Sequence, residues 1–222
     1  MTKIPVHFLH IGKTGGTALI STLKNIGETD EYLIRMHPHR IRLVNIPIGH
    51  KVVFFLRHPV DRFISSFYSR QRKGAPRHNM EWRPLEAEAF GVFNIANDLA
   101  EGLSSNDASN KESAEDAMKN IFHVRNSFYD WVGDDAYFES RLDDILFIGN
   151  QSRMNSDFEK LKSILGISDQ VNLPTDDLAS HRNTLEVDKS LSEIGRSNIE
   201  DWYKKDIAFF TKWQDGIYDW DN

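Results

Sequence analysis

The sequence predicts an α/β fold, a single domain in which helices flank a mainly parallel central sheet. Short apolar runs rich in β-branched and aromatic residues alternate with segments of helical periodicity, the pattern of strands joined by helical crossovers. The run Lys51–Leu56 (KVVFFL) is apolar after its first residue, which is typical of a central parallel strand buried on both faces. A glycine-rich turn follows the first apolar run, Ile4–Ile11, where a strand is expected to meet a helix.

The other elements are predicted from periodicity and from residues that start or end helices. A helix over Thr17–Ile26 ends at Gly27, and Tyr32–Met36 is expected to form a strand. Pro59 suits the first turn of a helix that contains VDRFISSFYSR. The later expected elements are helices over Leu85–Leu103, Glu112–Val124 and Met154–Leu165, a strand over Ile145–Gly149, a loop over Pro174–Asn183, and one or two amphipathic helices within Ser190–Trp213.

The segment from about residue 84 to residue 132 interrupts the alternation of strands and helices. We expect it to be a helical insertion over one end of the sheet, serving as a lid or as an acceptor-binding segment. With this insertion, residues 1–222 are predicted to form one domain, a size at which roughly 70% of the unfolded surface is buried.

Charge is distributed unevenly along the chain. The net charge is −6, but residues 1–83 carry 14 Lys and Arg against 5 Asp and Glu, which gives +9, and the rest gives −15. This asymmetry indicates an anionic ligand for the N-terminal part, with chance variation of surface charge as the alternative. Because the basic residues are scattered among the strands, a small polyanion is favoured over nucleic acid.

Composition excludes several kinds of site. The chain has no cysteine, which rules out disulfides, thiolate nucleophiles and cysteine metal sites. The first apolar run is too short for a signal peptide, and no stretch approaches the roughly 20 apolar residues that span a bilayer. We therefore expect a cytoplasmic protein without a membrane span, and the pattern favours no particular oligomeric state.

The turn HIGKTGGT, between the first predicted strand and helix, is the strongest candidate site. Backbone N–H groups of a glycine-rich turn, the positive end of a helix and a lysine together suit a phosphate. The residues expected to contact it are Lys13, Thr14, Gly15, Gly16 and Thr17. A Walker A loop requires glycine where this chain has His7, so the pattern is not that of an ATPase loop.

Arg57 is the second candidate, because it follows a predicted central strand at the end where open α/β sheets bind ligands. Ser65 lies eight residues later, about two turns into the next helix, and can face the same crevice. A guanidinium with a hydroxyl suits a further phosphate. The alternative for Ser65 is an ordinary residue on a helix face.

The segment His37-Pro38-His39 is the third candidate. Proline disfavours a helical conformation of the residue before it, so the segment is expected to be extended, with both imidazoles on one side. Histidine is the side chain best suited to accept a proton near neutral pH. The alternatives are two solvated loop histidines or a metal site, but no further ligands cluster nearby and no metal is expected.

Two segments, HIGKTGGTAL and FFLRHPVDRFISSFY, resemble the cofactor motifs of the sulfotransferases that use 3′-phosphoadenosine 5′-phosphosulfate (PAPS). The nearest likeness is to the carbohydrate branch that includes heparan sulfate 2-O-sulfotransferase. The resemblance implies a P-loop-like sulfotransferase fold, PAPS as sulfuryl donor, and adenosine 3′,5′-bisphosphate as product. It also implies an acceptor that offers a hydroxyl or an amine, as carbohydrates do.

The resemblance also implies roles for the candidate residues. The loop that begins at Lys13 would hold the 5′-phosphosulfate, and its lysine would steady charge on the leaving phosphate. Arg57 and Ser65 would hold the 3′-phosphate. The family branch has an H-x-H between these motifs whose second histidine is the base, which implies His39 as base and His37 as its support or as an acceptor contact.

The resemblance covers both ends of the chain and leaves residues 70–140 essentially unmatched. It is weaker in ILFIGNQSRMNSDFEKLKSILGI, and in SHRNTL with the later WYKKDIAFF, which is similar to a C-terminal Y-x-x-D helix of the family. Gly12 replaces a proline of the family loop, Ala18 a serine, and His58 an aspartate. Two other functions stay open. A P-loop kinase or NTPase would need a full Walker A loop and a strand-end carboxylate for Mg²⁺. A non-catalytic nucleotide-binding module would need Arg57 and Ser65 but not His39.

Overall fold

The computed structural model of the protein describes residues 2–76, 78–174 and 188–216. The described residues cluster into two compact units, one drawn from residues 1–57, 127–180 and 208–222 and the other from residues 58–126 and 181–207. The assignment of residues 1–222 to one domain stays a prediction.

The first unit contains a sheet of four parallel strands in the order β2-β1-β3-β4. The strands are β1 (Ile4–Phe8), β2 (Tyr32–Met36), β3 (Lys51–Leu56) and β4 (Ile145–Asn150). The predicted α/β class with a parallel sheet flanked by helices is thereby confirmed. β1 ends three residues earlier than expected, because the chain leaves the sheet there to enter the glycine-rich turn.

Both faces of this sheet are covered by apolar side chains. Val6, Phe8, Val53 and Phe55 face a cluster that includes residues of helices α1 (Gly16–Leu23) and α8 (Met154–Leu165). The opposite cluster contains Leu9, Val52, Phe54, Leu56, Phe128, Phe138 and Phe209. Burial on both faces explains why the β3 sequence is apolar nearly throughout.

The second unit is helical among its described residues. Its helices are α2 (Pro59–Gln71), α3 (Pro84–Val92), α4 (Ala96–Gly102), α5 (Ala108–Asn120) and α9 (Glu193–Trp202). Their inward faces share one apolar cluster, which includes Phe63, Phe67, Phe90, Leu99, Met118 and Ile199. Three further helices are not confined to this unit: α6 (Tyr129–Val132) and α7 (Asp135–Ser140) belong to the first unit, and α10 (Lys204–Trp213) contributes residues to both.

Two sequence-based boundaries in the second unit are wrong. The helix expected over Leu85–Leu103 is broken into α3 and α4, because Phe93 adopts an extended conformation and is buried in the core. α5 begins at Ala108 rather than at Glu112, because the Asp107 side chain accepts hydrogen bonds from the first-turn N–H groups and so caps the helix.

Most of the loop expected over Pro174–Asn183, and the SHRNTL segment of the family resemblance, fall within residues 175–187, outside the described residues. No helix within the described ranges is both long and apolar enough to cross a membrane. The expected cytoplasmic location stays a prediction.

Candidate active site

Three of the predicted site segments lie at one edge of the sheet in the first unit. Because all four strands are parallel, their carboxyl ends meet at the same edge. The loop containing Lys13 follows β1, His37 follows β2, and Arg57 follows β3. The chain passes from β1 to a strand on one side and then to β3 on the other side. This reversal creates the crevice in which open α/β sheets bind ligands.

The glycine-rich turn between β1 and α1 has the backbone geometry of an anion-binding loop. Lys13 and Gly15 have left-handed φ angles of 68° and 89°, and α1 begins immediately afterwards at Gly16. A Cβ at Gly15 would lie within 3.0 Å of Met154 Cε, and one at Gly16 would lie within 3.0 Å of the His10 ring. The first N–H groups of a helix have no acceptor within the helix and attract anions.

Thr14 holds the shape of the turn. Its side chain is buried, and its hydroxyl donates a hydrogen bond of 3.0 Å to the Ile11 carbonyl oxygen. A hydroxyl has one proton to donate, so in this conformation Thr14 cannot make its expected phosphate contact by donating that proton. Thr17, in the first turn of α1, is half-buried.

His39 has a defined tautomer. Its Nδ1 lies 2.9 Å from the carbonyl oxygen of His10, and its ring stacks on the His10 ring with centroids 3.6 Å apart. Because a carbonyl oxygen only accepts, Nδ1 carries the proton and Nε2 carries the lone pair. The Trp131 Nε1–H donates to the His39 carbonyl oxygen at 2.8 Å, which fixes the backbone at the same residue.

The pKa values of the imidazoles beside the loop are lowered, which favours the neutral form. Removal of the His39 ring face from water lowers its pKa below the usual value, and the positive Lys13 acts in the same direction, although the hydrogen bond to the His10 carbonyl opposes both. Burial lowers the pKa of His10 to about 3, with His39 and Lys13 adding to the effect. A neutral imidazole is the form that accepts a proton, so His39 suits a general base at neutral pH.

His37 and His39 have different partners, so the two histidines are not equivalent. The His37 Nε2 lies 2.8 Å from Nδ1 of the buried His7, in the middle of β1. Burial lowers the pKa of His37, and the positive Arg35 adds to this effect. His37 is thus engaged inside the unit, whereas His39 contacts the glycine-rich turn.

Arg57 and Ser65 belong to different units. Arg57 is half-buried and directly follows β3 in the first unit, and Ser65 is half-buried on α2 in the second unit. Their joint grip on one phosphate stays a prediction.

Sequence reasoning missed the contribution of His10. Its carbonyl oxygen sets the His39 tautomer, and its ring contacts both His39 and the start of α1. Only its position at the start of the turn pointed to such a role. Gln151 and Met154, which line the turn at Gly15, were also missed, although residues that follow a parallel strand necessarily reach this edge of the sheet.

No protein-family model matches the sequence, and no curated protein is significantly similar to it.

Proposed function

We propose that the protein transfers a sulfuryl group from PAPS to a hydroxyl or amine of an acceptor such as a carbohydrate. One observation carries the proposal: His39, with its lone pair on Nε2, lies beside the anion-binding turn of Lys13. A site for an anionic donor next to a neutral base suits group transfer to an acceptor that must lose a proton. The likeness of the two motifs to those of PAPS-dependent sulfotransferases supplies the identity of the donor.

The proposed reaction is an in-line displacement at sulfur. The acceptor oxygen or nitrogen forms a bond to sulfur while the bond from sulfur to the phosphate oxygen breaks. The acceptor proton passes to His39 Nε2, and the electron pair of the broken bond leaves with adenosine 3′,5′-bisphosphate. Lys13 and the N–H groups of the turn stabilise the charge on that phosphate, so positioning and electrostatics supply most of the acceleration.

The strand ends favour this function over a P-loop kinase or NTPase. The position of the missing Walker A glycine is His7, which lies inside β1 rather than in the loop. A Mg²⁺-dependent enzyme of that class also needs a carboxylate at a strand end. The residues at the ends of the four described strands carry none: Phe8, Met36, Leu56 and Asn150, followed by Leu9, His37, Arg57 and Gln151.

The proposal extends to the finer fold. The sheet edge with its turn would be the P-loop-like centre of a sulfotransferase fold, and residues 84–132 would be the insertion that selects the acceptor. A non-catalytic nucleotide-binding module has no need of a histidine with a fixed tautomer beside the donor site, so the geometry at His39 favours an enzyme.

Calorimetric titration of three nucleotides tests the donor. Adenosine 3′,5′-bisphosphate should bind more tightly than ATP, and Arg57→Ala should weaken it by roughly 10–150-fold, the loss of a charge-assisted bidentate contact. Adenosine 5′-phosphosulfate lacks the 3′-phosphate, so its affinity should change little in the same variant. Arg196→Ala, on the exposed face of α9, is the matched control. Tighter binding of ATP than of adenosine 3′,5′-bisphosphate would contradict the assignment. So would an equal loss of affinity for adenosine 3′,5′-bisphosphate and adenosine 5′-phosphosulfate in Arg57→Ala.

A further inference from the structure

Three histidines form a hydrogen-bonded chain within the first unit. The His7 Nδ1 lies 2.8 Å from His37 Nε2, and the His7 Nε2 lies 3.0 Å from His50 Nδ1. The planes of the outer rings are inclined to the His7 ring by 10° and 29°, with centroids 5.0 Å and 5.1 Å away, as expected of rings joined edge to edge through their nitrogens. His7 therefore uses both of its ring nitrogens inside the protein.

The three hydrogen-bonded histidines tie both ends of the connection between β2 and β3 to β1. His7 lies in the middle of β1, only 4% exposed, between the apolar residues Val6 and Phe8. His37 directly follows β2, and His50 directly precedes β3. The connection from residue 37 to residue 50, which contains the proposed base, is thus tied to β1 at its start and at its end.

Packing alone does not account for an imidazole at this position. A buried polar group is costly unless it is hydrogen-bonded, and an apolar residue would fill the same space without that requirement. Ligation of a metal does not account for it either, because no three His, Asp or Glu side chains in the part of the chain that the structure describes are arranged to hold one. The two hydrogen bonds are the distinctive property of His7.

The chain also limits how many protons it holds. Each of its two contacts requires one proton between two nitrogens, and each outer nitrogen can carry one more. Three neutral imidazoles carry three protons, so the chain accommodates one excess proton, and a second would break a contact. Arg35, paired with His7 across β1 and β2, and the two outer histidines are the charged or titratable groups that act on His7 among the described residues, and all three oppose protonation.

We propose that His7 is a positioning residue for His39 and acts through His37. The inference rests on the proposed role of His39 as base. His37 stands two residues before His39, so fixing its ring limits the backbone positions open to His39. The hydrogen bond from Trp131 Nε1 to the His39 carbonyl oxygen fixes the same backbone. With this backbone fixed, the His39 Nδ1 lies within hydrogen-bond distance of the His10 carbonyl oxygen.

Nitrogen-15 NMR of the histidine rings tests this inference without any donor or acceptor. In the wild-type protein at pH 8, the His39 ring should show a protonated Nδ1 and an unprotonated Nε2. His7→Phe keeps a flat ring but removes both hydrogen bonds, and His39 should then show a mixture of tautomers. His7→Gln, which retains a donor and an acceptor, should restore much of the wild-type spectrum. His78→Phe, an exposed histidine of the second unit, is the matched control.

The outcomes separate this inference from the proposed function. An unchanged His39 spectrum in folded His7→Phe, equal to that of His78→Phe, would overturn the positioning role even if the wild type uses PAPS. Absence of sulfuryl transfer by the wild type, with a changed His39 spectrum in His7→Phe, would instead refute the proposed function. If His7→Phe does not fold, His37→Phe decides the question. This variant removes the hydrogen bond between His7 and residue 37, two residues before His39, and leaves the β1 sequence unchanged.

Discussion

Gly16→Ala is a sharp test of the contact between the turn and the base. Gly16 is the first residue of α1, and helix propensity in general favours alanine over glycine. Here, however, a Cβ would lie within 3.0 Å of two His10 ring atoms, Cδ2 and Nε2, and 3.2 Å from a third, Cγ. Ordinary contact lies at 3.4–4 Å, so the His10 ring must withdraw by about 1 Å. The ring cannot move alone, because His39 stacks on it with centroids 3.6 Å apart.

We expect two measurable consequences. Overpacking of this kind typically costs about 1–3 kcal/mol, which thermal or chemical unfolding would detect. A misplacement of about 1 Å in a catalytic site can cost roughly 10²-fold in rate. The release of adenosine 3′,5′-bisphosphate from PAPS in the presence of an acceptor should therefore fall by about 10-fold or more. Gly91→Ala is the matched control, since a Cβ at Gly91 on α3 meets open space.

A second substitution checks the cause. If the clash with the His10 ring is responsible, the stability losses of Gly16→Ala and His10→Ala should be less than additive in the double variant. Gly16→Ala with wild-type stability and wild-type turnover would refute the reasoning, because it would mean that the ring moves aside without cost.

Two further predictions concern buried ionisable groups. Burial, the neighbouring His37 and His50, and the positive Arg35 lower the pKa of His7 from 6.5 to about 4. The unfolded state therefore binds more protons between these values, and stability is lost as the pH falls through this interval. The wild type should lose roughly 2 kcal/mol more than His7→Phe between pH 7.5 and pH 5 in urea unfolding, and an equal loss would contradict this account. In the second unit, Arg70 donates two hydrogen bonds of 2.8 Å to the buried Glu86 carboxylate. Glu86→Gln should cost about 3–5 kcal/mol, against less than about 1 kcal/mol for Glu115→Gln in an exposed pair, and similar losses in the two variants would show that burial is not decisive.

The sequence predicted the strands well because each is a short apolar run between clear turns. The bounds of β2 and β3 agree with the structure to the residue. α8 ends at Leu165, and the Gly166 that follows it adopts the left-handed conformation expected of a helix terminator. The break between α3 and α4 was not predictable, because helical periodicity continues through Phe93 and only tertiary burial turns that side chain inward. α6 and α7 span four and six residues, too few to produce a periodic pattern.

The site was predictable to the level of the sheet edge and no further. Parallel strands place the Lys13 turn, the His37–His39 segment and Arg57 at the same edge, and the predicted sheet already required this. Contacts between side chains arise from tertiary packing and leave no mark in the order of residues. For this reason the stacking of His10 on His39 and the chain through His7 were not anticipated, and neither was the inward bond of the Thr14 hydroxyl.

The most direct measurement is transfer of labelled sulfate from PAPS to a panel of hydroxyl and amine acceptors by the wild type and by His39→Ala. General-base catalysis typically contributes about 10²–10⁴-fold. We expect the wild type to label an acceptor and to release an equal amount of adenosine 3′,5′-bisphosphate. His39→Ala should lose at least about 100-fold in this turnover while its affinity for adenosine 3′,5′-bisphosphate stays within a few fold. Transfer that proceeds equally well without His39, or no transfer from PAPS by the wild type to any acceptor, would contradict the account.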